Sequence, residues 1–154
     1  MIRVRNFEPR DVEVTWDLKF NTIRKVNIRD YEAVQTKAWA PDNFDLKRWQ
    51  KRITDMNPFV AEIDGLVVGF ADLQEDGYID HFFCHSEYQG QGVGRALMEQ
   101  VLRTGRLNGV SRLYSQVSLT ARKFYEHFGF VVIEKQQVEI NGVELTNFIM
   151  ERTC

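Results

Sequence analysis

Cysteine is almost missing from this chain: two in 154 residues, Cys84 inside an apolar stretch and Cys154 at the end. Neither a disulfide framework nor a metal-ligand spacing can be drawn from them, so the expectation is a reduced, intracellular protein without metal. Three prolines and the lack of any repeat or low-complexity tract leave no linker. No apolar run approaches the roughly 20 residues that span a bilayer. The opening Met1-Ile2-Arg3-Val4-Arg5-Asn6 has no apolar signal-peptide core. A surplus of positive charge is also lacking: 20 Lys and Arg stand against 22 Asp and Glu, a formal net charge of −2. That balance argues against a protein built to grip nucleic acid. What remains is a soluble, cytoplasmic chain, 44% hydrophobic and 27% charged, of a length that fits one domain over 1–154.

Residues 2–7 alternate as a first strand would, and Asp11 begins a helical pattern through Val14, Leu18, Ile23 and Val26. The stretch from Asp30 to Asp45 is irregular. Asp45 is placed to cap a second helix carrying Leu46, Trp49 and Ile53, which Pro58 closes. Phe59–Ile63 and Leu66–Leu73 flank Asp64-Gly65 as a hairpin, and Asp76-Gly77 turns into Tyr78–His85. Together these predict an antiparallel meander of three strands. A helix from Val93 to about Gly105, a strand over Leu113–Val117 and a short helix capped by Ser118 or Thr120 follow. Gly129 ends that helix, and two strands flank Asn141-Gly142. The pattern predicts one α+β domain whose mixed sheet is mostly antiparallel, with about seven strands and about four helices.

Gln89-Gly90-Gln91-Gly92-Val93-Gly94 lies between a strand and a helix. The first amides of a helix have no internal partner and the macrodipole is positive there, so such a loop suits an anion. Glycines let a phosphate approach the backbone, and Arg95 can add a charged contact. A tight turn that needs glycine for its angles alone would look the same. There is no Lys-Ser/Thr pair as in a P-loop, and the hairpin-linked strands are not the βαβ setting of a dinucleotide fingerprint.

Cys84-His85-Ser86-Glu87-Tyr88-Gln89-Gly90-Gln91-Gly92-Val93-Gly94-Arg95-Ala96-Leu97 resembles the acetyl-CoA signature of the GNAT superfamily of N-acetyltransferases. Gln89, Gly92 and Gly94 match its core. Ser118 to Phe130, with Tyr125 and the closing Gly129-Phe130, is similar to a later helix of that family. The order of elements fits from Ile2 to Arg152, so the resemblance spans nearly the whole chain and is greatest to small bacterial members. There are two departures: Ser118 stands where the family often has Asn, and Ser86 where proline commonly follows the strand-end histidine.

The resemblance implies an enzyme that moves acetyl from acetyl-CoA to an amine of a small molecule or peptide by direct attack in a ternary complex. Phe82, Phe83, Cys84, Gln89, Gly90, Gln91, Gly92, Val93, Gly94, Arg95, Ser118, Ala121 and Phe124 would hold the cofactor. The Phe82 amide would meet the thioester oxygen and the Cys84 backbone the pantetheine arm. Tyr125 would be the acid for the departing thiolate, or simply pack beside Ala121 and Phe128. Asp80, on the Phe82 face of the strand, is the base candidate or a solvated residue; His81 and His85 alternate to the other face and rank lower. Trp39 and Phe44 would line the acceptor pocket, whereas Trp49 reads as core. Cys84 reads as a small buried hydrophobe rather than a nucleophile. The alternative function is a non-catalytic acyl-CoA-binding module. No nucleic acid, membrane or metal is expected as a partner, and monomer and homodimer both remain open.

Overall fold

The computed structural model describes residues 1–154. Strand β1 (Ile2–Asn6) pairs antiparallel with β2 (Phe59–Ile63), which turns into β3 (Leu66–Ala71). The turn residues Asp64 and Gly65 both have positive φ, 50° and 82°, the geometry whose twist suits a tight hairpin. Alternation, shifted by one residue at a bulge in β3 where Ala61 faces Gly69 and Glu62 faces Val67, then sorts the side chains of this sheet onto two faces. Ala61, Val68 and Ala71 join a core with Val93, Leu97, Met98 and Val101 of α4 (Val93–Leu107). Val60, Val67 and Phe70 join a second core with Trp16 and Ile23 of α1 (Val12–Lys25) and with Trp49 and Ile53 of α3 (Leu46–Met56), which follows α2 (Ala33–Trp39) in the chain.

Asp45 caps α3 as its sequence suggests, accepting from the Lys47 and Arg48 amides. Asn57 leaves that helix in the left-handed conformation at φ 48°. Helix α2 is a difference, because residues 30–45 read as irregular. Only Val34, Ala38 and Trp39 lie near an apolar stripe there, so no period shows. The helix is instead fixed by a capping box between Glu32 and Gln35 and by the Gln35 side chain donating to the Glu144 carbonyl.

The expected strand Tyr78–His85 is broken in two. Its first part, β4 (Tyr78–Ile79), runs parallel to β6 (Arg112–Ser118); its second, β5 (Phe82–Cys84), stays antiparallel to β3. Asp72 is the cause. One oxygen of its fully buried carboxylate accepts from both the Asp80 and His81 amides, each at 2.8 Å. Those amides are thereby taken out of any ladder, and β3, expected to reach Leu73, stops at Ala71.

The sheet therefore divides into two four-stranded sheets, ordered β1-β2-β3-β5 and β4-β6-β8-β7. In the second, β7 (Val131–Ile140) and β8 (Val143–Thr153) form the expected hairpin through Asn141-Gly142. Helix α5 (Arg122–His127) precedes it and ends at Gly129, whose φ is 86°. The Ser118 hydroxyl accepts from the Ala121 amide just ahead of α5, whereas the Thr120 hydroxyl caps nothing. The total is eight strands and five α-helices. No helix is long and apolar enough to cross a membrane.

Candidate active site

The break at Asp80-His81 opens the molecule. Strands β4 and β6 are paired at Tyr78–Tyr114 and Ile79–Ser115. Beyond that point β5 pairs only with β3, and β6 only with β8. A cavity of about 1080 Å³ fills the wedge between them. From one side α1 and the turn after it span the opening: Thr22 donates to the Cys84 carbonyl at 2.7 Å, and Asn27 to the Ser118 hydroxyl at 3.4 Å.

Hydrogen-bond direction alternates along β5. The His85 amide donates to Val68 of β3 at 2.7 Å, and Phe83 stands opposite Phe70. The amides of Phe82 and Cys84 therefore face away from β3, into the wedge, where no strand pairs with them. The Cys84 carbonyl on the same side is taken by Thr22 and by Gln89, whose side chain donates to it at 2.9 Å and pins the glycine loop to the strand end. The Phe83 amide is turned towards β3. Its ring sits with His81, Phe70 and Trp39, on the opposite face from Phe82.

At the start of α4, Gly92 is the residue before the helix, at φ 88°, and offers no side-chain cap. The first helical bond is from the Ala96 amide to the Gly92 carbonyl, so the Gly94 and Arg95 amides end free at the cavity wall. A side chain at position 94 would meet Phe124 at 2.8 Å, so glycine lets α4 approach α5. Gly90, Gly92, Val93, Gly94 and Arg95 line the cavity, and exposed Gln91 does not. The Arg95 guanidinium lies 3.4 Å from His127 and over the Phe128 ring. Ser118, Ala121 and Phe124 line the wall opposite. The Thr120 hydroxyl there is buried without a partner. Unpaired donors, an orphaned hydroxyl and a helix start cleared of side chains fit a long ligand that carries amides and phosphates.

Residues 27–152 match the family model described as an acetyltransferase (GNAT) domain. The chain belongs to the GNAT acetyltransferase family. This GNAT chain is 32% identical over 149 residues to an uncharacterized N-acetyltransferase, YafP, of Escherichia coli strain K12, covering 97% of this chain and 94% of that one. Its fold matches a GCN5-related N-acetyltransferase from Rhodopseudomonas palustris with TM-score 0.94 and 28% identity, over 99% of this chain and 95% of the other. YncA of Salmonella typhimurium, solved with acetyl-CoA, shares the fold at TM-score 0.73 and 16% identity, over 99% and 94%.

In the GNAT chain, Tyr125 of α5 is 3% exposed, packed against Phe82, Phe124 and Phe130, and also lines the cavity. Burial raises its pKa above the ordinary phenol value, and the neighbouring Ser115 hydroxyl acts in the other direction. Burial likewise pushes the Cys84 thiol up to about 12.

The other end of the cavity is aromatic. Phe44 stacks on Trp16 at 4.3 Å, and Trp39 lies against Phe83. Trp49 is core, as expected, with its indole donating to the Val12 carbonyl, yet it also reaches the cavity. Asp80 is half-buried there, 3.1 Å from Arg52 of α3 and 3.3 Å from His81 Nδ1. The neighbouring His81 ring and the Arg52 charge hold Asp80 well below the usual carboxylate range.

The His81 ring lies with Phe83 and Phe70 on the face opposite Phe82, as strand alternation expects, and the break at Asp80-His81 brings the Asp80 carboxylate beside it at the cavity. Lys19, Arg52, Asp72 and Thr120 escape sequence reasoning. Asp72 leaves a trace, as a carboxylate that ends an apolar run. Lys19 leaves none, because its partner is 62 positions away.

Proposed function

We propose that this chain transfers the acetyl group of acetyl-CoA to a primary amine of a small molecule or peptide, by direct attack within a ternary complex. The wedge carries the reading: it leaves the Phe82 and Cys84 amides unpaired, in line with the open amides of α4. Acetyl-CoA supplies an acyl group already activated as a thioester. The Gly94 and Arg95 amides, at the positive end of α4, hold the pyrophosphate, and Gly92 keeps side chains out of its way. The Cys84 amide pairs with the pantetheine arm, whose path runs past Ser118, Ala121 and Phe124. The Phe82 amide donates to the thioester oxygen and stabilises the negative charge that develops on attack.

Tyr125 protonates the departing thiolate. Its raised pKa keeps the phenol protonated throughout the working range, and its hydroxyl is held by a packed ring rather than a mobile side chain. Cys84 stays a thiol at neutral pH, which disfavours an acyl-enzyme. Trp39 and Phe44 receive the acceptor. Asp80 remains ionised between Arg52 and His81, which suits drawing an ammonium group into the cavity better than accepting its proton directly. The test is Tyr125→Phe, followed by thiol release from acetyl-CoA across a panel of amines. Turnover should fall by about 100-fold or more while acetyl-CoA affinity stays the same. Unchanged turnover removes Tyr125 from the acid role.

A further inference from the structure

Lys19 projects from α1 into the acceptor end of the cavity and is only 8% exposed. A buried lysine held for structure alone has a carboxylate or several carbonyls around its ammonium group. Lys19 has neither. Its one hydrogen-bond partner is His81, with Nζ 3.0 Å from Nε2. Around it stand the rings of Trp49 at 5.0 Å, Trp16 at 5.8 Å and Phe83 at 5.9 Å.

On the far side of the imidazole, Nδ1 is buried, lacks a hydrogen-bond partner and lies 3.3 Å from the Asp80 carboxylate. Asp80 in turn meets Arg52, which is exposed. Lys19, His81 and Asp80 thus form a line from the cavity interior to solvent, and Asp72 fixes its bend through the Asp80 and His81 amides.

We propose that Lys19 is the catalytic base for acetyl transfer, taking the proton of the acceptor ammonium and passing it through His81 to water beside Asp80. This rests on the acetyl-transfer reading above. In the first step the acceptor changes from R–NH3+ to R–NH2 as Lys19 changes from –NH2 to –NH3+. In the second, Lys19 gives a proton to His81 Nε2 as the Nδ1 proton passes to water beside the ionised Asp80, and exchange with water then returns the ring to its first tautomer. No bond to carbon changes in either step.

The surroundings supply the neutral amine this needs. Burial and the positive charge of Arg52 on α3 lower the Lys19 pKa to about 7, against a smaller opposing pull from Asp80. Trp16 of α1, Trp49 of α3 and Phe83 of β5 complete the contacts without charge. Burial, with Lys19 and Arg52 acting in the same direction, lowers His81 to about 4, so the ring is neutral and Nε2 can accept. An amine near 7 is poised for general-base work at neutral pH.

Two readouts test this. Nuclear magnetic resonance of the lysine side-chain ε-carbons in the intact protein should show one lysine, lost in Lys19→Arg, titrating near neutrality. A Lys19 that titrates with the other lysines overturns the proposal. In thiol-release assays, with the best acceptor among amino acids, polyamines and short peptides, wild-type kcat/KM should fall as pH drops through the Lys19 pKa. Lys19→Arg, which stays protonated, should lose about 100-fold or more in kcat while acetyl-CoA titrates with unchanged affinity. If that variant does not fold, Lys19→Met makes the same comparison.

Full turnover in either variant overturns the base assignment and leaves acetyl transfer standing. A wild-type protein that neither binds acetyl-CoA nor releases thiol overturns both. His81→Gln should keep acetyl-CoA binding and displace the acid limb of the pH profile, a change that loss of packing alone would not produce.

Discussion

Replacing Gly94 by alanine puts one carbon where α4 passes α5. The added Cβ would stand 2.8 Å and 3.0 Å from two Phe124 ring carbons and 3.6 Å from Cys84 Sγ. Unstrained carbon contacts lie at about 3.5–4.0 Å, so the ring must retreat by most of an ångström. It cannot do so freely, because Phe82, Phe128 and Tyr125 crowd it with centroids at 5.3, 5.0 and 5.9 Å. Overpacking of this kind costs about 1–3 kcal/mol, and the gain in helix propensity returns at most about 1 kcal/mol. A net loss of roughly 1–2 kcal/mol corresponds to a fall in Tm of about 2–8 °C for a chain of this size. The same displacement moves the start of α4 against the cavity wall, so acetyl-CoA affinity should fall by about tenfold, worth 1.4 kcal/mol. The assays are thermal unfolding and calorimetric titration. Gly109→Ala is the control: its φ of 69° brings strain, but nothing lies within 4 Å and the position is away from the cavity. It should lose stability and keep its affinity. A Gly94→Ala protein with wild-type Tm and wild-type affinity would refute the close α4–α5 approach as the reason for glycine there.

Two further predictions concern stability. Burial raises the Asp72 carboxyl to about 6 from an ordinary 3.8. A folded-state pKa raised in this way gives stability that is complete below about pH 4 and lost as pH rises through 6, by roughly 3 kcal/mol at 1.36 kcal/mol per unit. Denaturant titrations at pH 4.5 and 7.5 should show about 2 kcal/mol of that loss, the first part having gone below pH 4.5, and Asp72→Asn should flatten it; an unaltered pH dependence in the variant would assign the loss elsewhere. Asp45→Ala removes both side-chain bonds at the start of α3 and should cost about 1 kcal/mol in the same experiment, with no change at all meaning that the cap is dispensable.

Much of this molecule can be read from its residues. The Asp64-Gly65 and Asn141-Gly142 turns, the Asp45 cap and the Gly129 stop are local signals, each satisfied within a few residues, and each stands where its chemistry places it. The glycine loop is legible for the same reason. The break at Asp80-His81 is not, because it depends on a carboxylate eight and nine positions earlier that competes with the strand for two amides. Alternation, read without that competition, places the His81 ring with Phe83 but misses the Asp80 carboxylate that the break brings beside it. Helix α2 is hidden because it has no apolar period, only a capping box at its start and a long-range bond from Gln35 to β8. The pair of Lys19 and His81 joins elements 62 residues apart and has no local signature.

The central inference, that the wedge between β5 and β6 and the start of α4 together hold acetyl-CoA, is tested most directly by calorimetric titration of the folded protein with acetyl-CoA. Saturable one-to-one binding is the predicted result. No binding, by a protein whose unfolding transition shows it to be intact, would contradict it and leave a GNAT fold put to another use.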